Sequence, residues 1–466
     1  MKRSLSIFMA CFLVAGSSNG QEWASNIQQF IAVDASVVAI ENVTIIDGTG
    51  AGAVAGQTVV IRDGMIESVG TGTVPDGAHL IDGSGKTLIP GMVGLHNHTF
   101  YTTSQRRVQL NFSAPRMYLA SGVTTIRTTG SYAPYSELGL KRSVNSRQRM
   151  GPRMFVTGPY IDGQSNAIHR STPTSPDAAR RVVKYWSEEG VDWFKVYANI
   201  SSAELSAVID EAHTHGIKVT GHLCSVTYRE AVVLGIDNLE HGLYANSDYS
   251  KTKVKDECPA DYRRVMIDLN MSGEAVQTTF REMIAAGVGM TSTLAIYEHV
   301  VPNRPPVEQR VLDAMSPEVQ KEYLRTRTRV SDRNSQLSKD LWIKALEYEK
   351  AFVEAGGLLA SGVDPTGYGG ALPGYGDQRN YELLHEAGFN SGEVVQIMSL
   401  NGAKILGIDE ETGSIEAGKH ADLILINGDL ASDPALIRNV EIVFRDGVGF
   451  DSVAIIESIE GQVGVR

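Results

Sequence analysis

His96 and His98 stand one residue apart at the end of the apolar run 88–95. On a strand, alternate side chains share a face, so both imidazoles can point at one ion. His222 closes the run 217–221, His241 closes 236–240, and Asp364 follows 358–363. Imidazole and carboxylate are the usual donors for a divalent cation such as zinc. A lone His-x-His pair is also what two ordinary histidines near a turn look like. The company it keeps gives it weight, because a barrel assembles a site from the carboxyl ends of several strands.

Lys195 adds a different chemistry. It lies in 191–197, a strand-like run with few polar residues. An ammonium pointing into a barrel is costly unless paired or neutralised, and a lysine snorkelling outward is the alternative. A neutral lysine amine can take up carbon dioxide as a carbamate, whose two oxygens can bridge two cations. Desolvation and nearby metal ions both favour the deprotonated amine this requires.

These residues need a scaffold, and the hydrophobic pattern supplies one. Residues 37–88 read as short β-branched strands split by the turns Asp47-Gly48 and Asp63-Gly64, and 413–447 is a second β-rich segment. Two β-rich ends flanking an α/β middle predict one small sandwich built from both termini. In the middle, 176–189 has helical spacing and stops at Gly190. Ser201 and Glu204 form a capping box for a helix ending at Gly216, before the strand 217–222. Such alternation over roughly 300 residues fits a TIM-like (β/α)8 barrel better than two open sheets. The polar stretch 245–345 contains one further strand, 288–294, and otherwise reads as an insertion over the barrel mouth. The glycine-rich segment 366–376 reads as a mobile loop beside the site.

The chain has 466 residues and a net charge of −12, with no evident basic stripe, which argues against a nucleic-acid partner. Lys2 and Arg3, the apolar run 5–15 and the small residues Gly16, Ser17, Ser18 and Gly20 predict a signal peptide over 1–20 and a secreted or periplasmic protein. That run is too short for a permanent membrane span. Beyond it lie Cys224 and Cys258, which spacing alone leaves open as a disulfide or as free thiols.

The motifs Pro90-Gly91, His96-Asn97-His98, Lys195, Gly221-His222, Glu240-His241-Gly242, Ser361-Gly362-Val363-Asp364 and the segment 418–423 together resemble the amidohydrolase superfamily, over nearly the whole mature length. The resemblance is to its binuclear branch with a carboxylated lysine. It implies a metal-dependent α/β barrel over 89–404, with the insertion around 245–345, beside a β-sandwich of 21–88 and 405–466. It also implies two divalent ions, usually zinc. His96, His98 and Asp364 would hold one and His222 and His241 the other, with carboxylated Lys195 and a hydroxide bridging them.

Lys195-Val196-Tyr197 and the helix 401–407 make the chain similar to prolidase-like, carboxypeptidase-like and ochratoxin-cleaving members. The implied reaction is hydrolysis of an amide bond in a dipeptide or N-acyl amino acid, with Asp364 as proton acceptor and then donor. The same ligands would equally serve a lactone, carbamate, urea or cyclic amide. A non-catalytic binding protein on this scaffold would not need a carbamate bridge. Such relatives often carry His or Tyr two residues after the His222 equivalent, where this chain has Cys224. Cys224 is therefore one candidate for contacting a small-molecule substrate, and Tyr197, Tyr228, His169 and Tyr297, placed just after strands or in the first loops, are the others. Relatives are often homo-oligomers, which the resemblance extends to this chain as an expectation. His213 and His215 at a helix end, with His79, His385 and His420, are expected to stand outside the site.

Overall fold

The computed structural model describes residues 22–103, 106–163, 170–366 and 370–466. The expected signal segment 1–20 and the candidate His169 lie outside the described residues.

The middle of the chain is an α/β fold on one parallel sheet. Its strands run in the order Arg153–Phe155, Val123–Thr128, Met92–Asn97, Leu359–Ser361, Gly289–Ser292, Asn238–Glu240, Lys218–Gly221, Trp193–Val196 and Thr157–Ile161. The first and last members are separated in sequence by Val156 alone. The run 153–161 therefore pairs with Val123–Thr128 through its start and with Trp193–Val196 through its end. The intervening helices begin where the caps predict. Ser175 caps Pro176–Glu188, with proline in the first turn, and Ser201 and Glu204 form the capping box of Ser202–Thr214.

Segments from both sides of the parallel-sheet region join a second sheet, of nine strands among the described residues. Leu423–Asn427 lies antiparallel between Lys86–Pro90 and Val440–Arg445, and Val37–Ile45 follows on the other side of Lys86–Pro90. Val33 and Ile66, from the two extremes of the strand order, share one apolar cluster with Leu88, Leu425 and Phe444. The chain passes from this sheet into the His96 strand at Gly91. A Cβ there would lie 2.1 Å from Thr124 Oγ1, so the crossing demands glycine.

Two expectations need correction. The glycine-rich segment does not stay irregular as far as residue 376, because a helix, Tyr375–Glu386, starts inside it. Gly374 supplies the positive φ of 74°, and its N–H donates to Asp377 Oδ2 at 2.9 Å. Within 245–345, the helix Glu274–Ala285 packs against Tyr228–Val233 and leads into the strand Gly289–Ser292, so it belongs to the regular alternation. Gln336–Glu354 likewise leads into the strand Leu359–Ser361 and packs against it, so the additional helices described are Tyr262–Met266, Leu294–Glu298, Gln309–Ala314 and Pro317–Arg333. Among the described residues, no helix is long and apolar enough to cross a membrane.

Cys224 and Cys258 form a disulfide, with Cα atoms 4.9 Å apart. The bond ties the residue two beyond His222 to the segment ahead of Tyr262–Met266. Thiol titration of denatured, unreduced protein comprising residues 21–466 is expected to find no free thiol. Cys258→Ser should lower unfolding stability by about 2–4 kcal/mol, the usual range for releasing a loop of this kind. Two free thiols, or an unchanged urea midpoint, would remove the crosslink from the account.

Candidate metal centre

The strand Met92–Asn97 is buried throughout and carries His96, and His98 follows directly after its end. The His96 and His98 rings lie 5.3 Å apart and nearly perpendicular, while the intervening Asn97 turns away and donates to Asp377 Oδ1 at 3.2 Å. Tyr118 clamps the His98 backbone, its hydroxyl donating to the His98 carbonyl at 2.8 Å and accepting from the His98 N–H at 3.1 Å. Ladder bonds run on to the next two histidines. The N–H of His222 donates to Val196 at 3.1 Å, and that of His241 to Thr291 at 2.9 Å. The His241 ring is 4.5 Å from His96 and 4.3 Å from His222.

Asp364 reaches this cluster through a close backbone approach. Its N–H donates to the His96 carbonyl at 2.7 Å. Any Cβ on Gly362 would lie 2.4 Å from the His96 nitrogen, so glycine is required there. Asp364 Oδ1 is then 3.1 Å from His98 Nε2 and 3.6 Å from His96 Nε2. Donor atoms of His96, His241 and Asp364 all fall within 4.8 Å of one another. In the two-ion arrangement that the family resemblance implies, this trio takes members from both sets.

Lys195 is fully buried between Phe194 and Val196, and its Nζ has no hydrogen-bond partner among the described residues. Burial pulls its pKa down to about 8, against the upward pull of Glu240 and Asp364. Burial also holds the imidazoles neutral, His222 at about 3 and His96 and His241 well below the usual histidine range. Asp364 is opposite in sign. Burial pushes it up, but His96, His98 and Lys195 outweigh that and keep its carboxyl below the ordinary value. Neutral imidazoles, an ionised carboxylate and an amine easily deprotonated are the protonation states a metal site needs. His241 Nε2 and Lys195 Nζ, buried and without a partner among the described residues, fit cations supplied from outside the chain.

A layer beneath these residues went unassigned in the sequence. Glu240 is wholly buried, receiving Arg127 Nη2 at 2.5 Å and Asn238 Nδ2 at 3.2 Å, with the Thr220 hydroxyl also against it. Its other oxygen meets His96 Nδ1 at 2.7 Å, turning His96 Nε2 toward Asp364. Thr293 does the same for His241, with Oγ1 2.7 Å from Nδ1. Arg127 is itself fully buried, donating to the Leu95 carbonyl at 2.9 Å. The clue was available: Arg127 sits in the strand Val123–Thr128, where an ionised group is as costly as at Lys195.

The substrate-contact candidates divide. Tyr197 lines the cavity over the histidines, its ring 4.6 Å from His222. Tyr297 stands edge-on to His241 at 5.5 Å and stacks on Tyr244 at 3.7 Å. Tyr228 is corrected: it is fully buried, and its hydroxyl donates back to the carbonyls of Glu240 at 2.5 Å and Gly242 at 2.9 Å, fixing the turn that carries His241. Cys224 is corrected as well, its sulfur being held by Cys258 rather than free in the pocket. Of the histidines set aside, His213 meets Asp237 at 3.0 Å and His420 meets Asp446 at 3.2 Å, both away from the cluster. The cavity itself, about 230 Å³, also takes in Phe100, Tyr132, Tyr160 and Arg107, none of which the sequence singled out.

The Glu240 carboxylate should be felt in metal affinity. Glu240→Gln is expected to weaken divalent-metal binding by about 10–100-fold, the range for lost partners of a ligating histidine. Titration against a competing chelator reads this directly, and unchanged affinity would reduce Glu240 to a structural residue.

Residues 87–252 and 377–449, about half of the chain, match the Amidohydrolase family. Among solved structures, a candidate prolidase from Bifidobacterium longum superposes with a TM-score of 0.67 at 24% identity, covering 91% of this chain and 99% of that one. A Xaa-Pro dipeptidase with methionine bound in its active site gives 0.66 at 20% identity, covering 89% and 100%. A curated 5'-deoxyadenosine deaminase of Methanobrevibacter smithii is 36% identical over 73 residues, which is 15% of this chain and only 17% of that protein. The chain belongs to the amidohydrolase family.

Proposed function

We propose that this protein is a metal-dependent hydrolase of C–N bonds, acting on the amide bond of a dipeptide or an N-acyl amino acid. The observation that carries the reading is the convergence of His96, His241 and Asp364 within 4.8 Å, beside a buried lysine amine without a partner among the described residues. The prolidase and dipeptidase titles of the structural neighbours lend the substrate class support. In this reading the parallel sheet closes into a barrel through the run 153–161, and the terminal sheet folds over as a sandwich. Residues 1–20 direct export, in accord with the Cys224–Cys258 disulfide.

His96, His98 and Asp364 would hold one divalent ion, most often zinc in such sites, and His222 and His241 a second, with carboxylated Lys195 between them. When bound, the ions supply Lewis acidity to the scissile carbonyl and make hydroxide available from water near neutral pH. The protein's share is to prepare protonation states. The Lys195 amine, with a pKa of about 8, has an appreciable neutral fraction at neutral pH. Its nitrogen attacks the carbon of carbon dioxide, forming an N–C bond, and the nitrogen proton leaves to water. Asp364, ionised and fixed by His98, accepts a proton from the attacking water and returns it to the departing amine nitrogen.

Lys195→Ala is expected to lose most activity and bound metal, with millimolar formate or acetate restoring part of both. Full turnover with two ions retained would sink the bridge. Asp364→Asn separates the proton role from coordination, since an amide oxygen can still bind weakly but cannot take a proton. Turnover should fall about 10²–10⁴-fold, the usual span for a lost general base, while metal analysis shows a far smaller decrease. Near-normal turnover would exclude Asp364 as the proton carrier.

A further inference from the structure

The loop after the His98 strand returns over the site as a hairpin, Phe100–Thr102 paired antiparallel with Arg107–Gln109, in which Thr102 stands opposite Arg107. The N–H of Thr102 donates to the Thr366 carbonyl at 3.1 Å, docking the hairpin against the Asp364 loop. Aromatic rings form an arc along this wall. Phe100 is 4.6 Å from His98 and 4.8 Å from Tyr132, Tyr132 is 4.8 Å from Tyr160, and Tyr160 is 5.5 Å from Tyr197, which meets His222.

Two guanidinium groups sit on that arc, and their charges are handled differently. Arg170 lies 3.9 Å from the Tyr197 ring centroid and is neutralised by the buried Asp162, with Nη1 to Oδ2 at 2.7 Å. Arg107 lies 3.4 Å from the Tyr132 centroid and lines the cavity, with no carboxylate among the described residues paired to it. Asp364 is the single carboxylate in the described lining, and it is taken by the histidines. A solvent-exposed guanidinium that lies over a ring at the cavity edge without a paired carboxylate among the described residues, in a chain of net charge −12, offers a fork suited to a planar anion.

We propose that Arg107 binds a free carboxylate of the substrate, making the site selective for acidic amide substrates, dipeptides or N-acyl amino acids with an open carboxyl end, over their neutral amides. The proposal rests on the amide-hydrolase reading for its substrates and deepens it. The position that the sequence marked for pocket contact, Cys224, is occupied by the disulfide, and Arg107 in the cavity lining supplies a recognition group instead. The Tyr132 ring 3.4 Å from its Cζ favours the guanidinium in that place by cation–π attraction, which lowers the cost of ordering it for a substrate carboxylate.

The test compares matched acids and amides. With metal-loaded enzyme, a dipeptide should be hydrolysed with a kcat/KM about 10–100-fold above that of the same dipeptide capped as its C-terminal amide, the factor expected of a charge-assisted bidentate contact. Arg107→Met should bring that ratio towards unity, chiefly through KM for the acid, and Arg107→Lys should keep part of it. Calorimetric titration with N-acetylphenylalanine and with N-acetylphenylalaninamide reads the same preference without turnover. Wild type should bind the acid at least tenfold tighter, and Arg107→Met should remove the difference. If neither dipeptide is cleaved, the amide-hydrolase reading fails, and the titration alone still decides Arg107. An acid preference that survives intact in Arg107→Met, or its absence from wild type, overturns the proposal.

Discussion

The site depends on one buried carboxylate. Glu240 has no access to water, yet burial does not neutralise it, because Lys195 and Arg127 hold its pKa below the ordinary value. An ionised group in that position is tolerable only when its lone pairs are satisfied, and Arg127, Asn238, Thr220 and His96 satisfy them. Each of these partners comes from a different strand. The residue that orients His96 is thus also the one that locks together the Arg127, Lys218–Gly221 and Asn238–Glu240 strands under the cavity. Site geometry and interior packing are the same interaction seen from two sides.

Above this layer the design changes from charge to shape. Tyr132, Tyr160 and Tyr197 make a wall from His98 round to His222, and their rings restrict the approach without adding acidic groups to the cavity. Disulfide, hairpin and Tyr244–Tyr297 stack each brace a different part of the rim. Strand ends and the turns just past them carry the ligand-type groups, while connecting segments line the cavity above them, a division common to enzymes built on α/β scaffolds.

Much of the inner arrangement could be read from sequence because each ligand-type residue follows a short apolar run at a strand end, where a strand period of two fixes its direction. Lys195 stood out because an amine amid Phe194 and Val196 has no cheap explanation. Arg127 obeys the same logic in Val123–Thr128 but was hidden by the neighbouring threonines, which make that strand look half-polar. Tyr228 misled because position just after a strand says nothing about which way a hydroxyl turns. The Cys224–Cys258 pairing depends on a contact across 34 residues, beyond any local pattern. Arg107 and the tyrosine arc were invisible for a related reason: they meet only through tertiary folding of segments with no shared periodicity.

His241 and Asp364 both have backbones in the left-handed region, with φ of 71° and 51°. Residues other than glycine adopt that region at a cost, smaller for Asn, Asp and His than for other side chains, and such residues concentrate where surrounding structure enforces them. The consequence is evolutionary. Selection for thermal robustness alone would favour Gly at both positions, relieving the backbone while deleting a donor atom from the cluster. Persistence of His241 and Asp364 therefore marks positions where fitness and folding pull in opposite directions, and a library sorted only for stability should drift away from function there first.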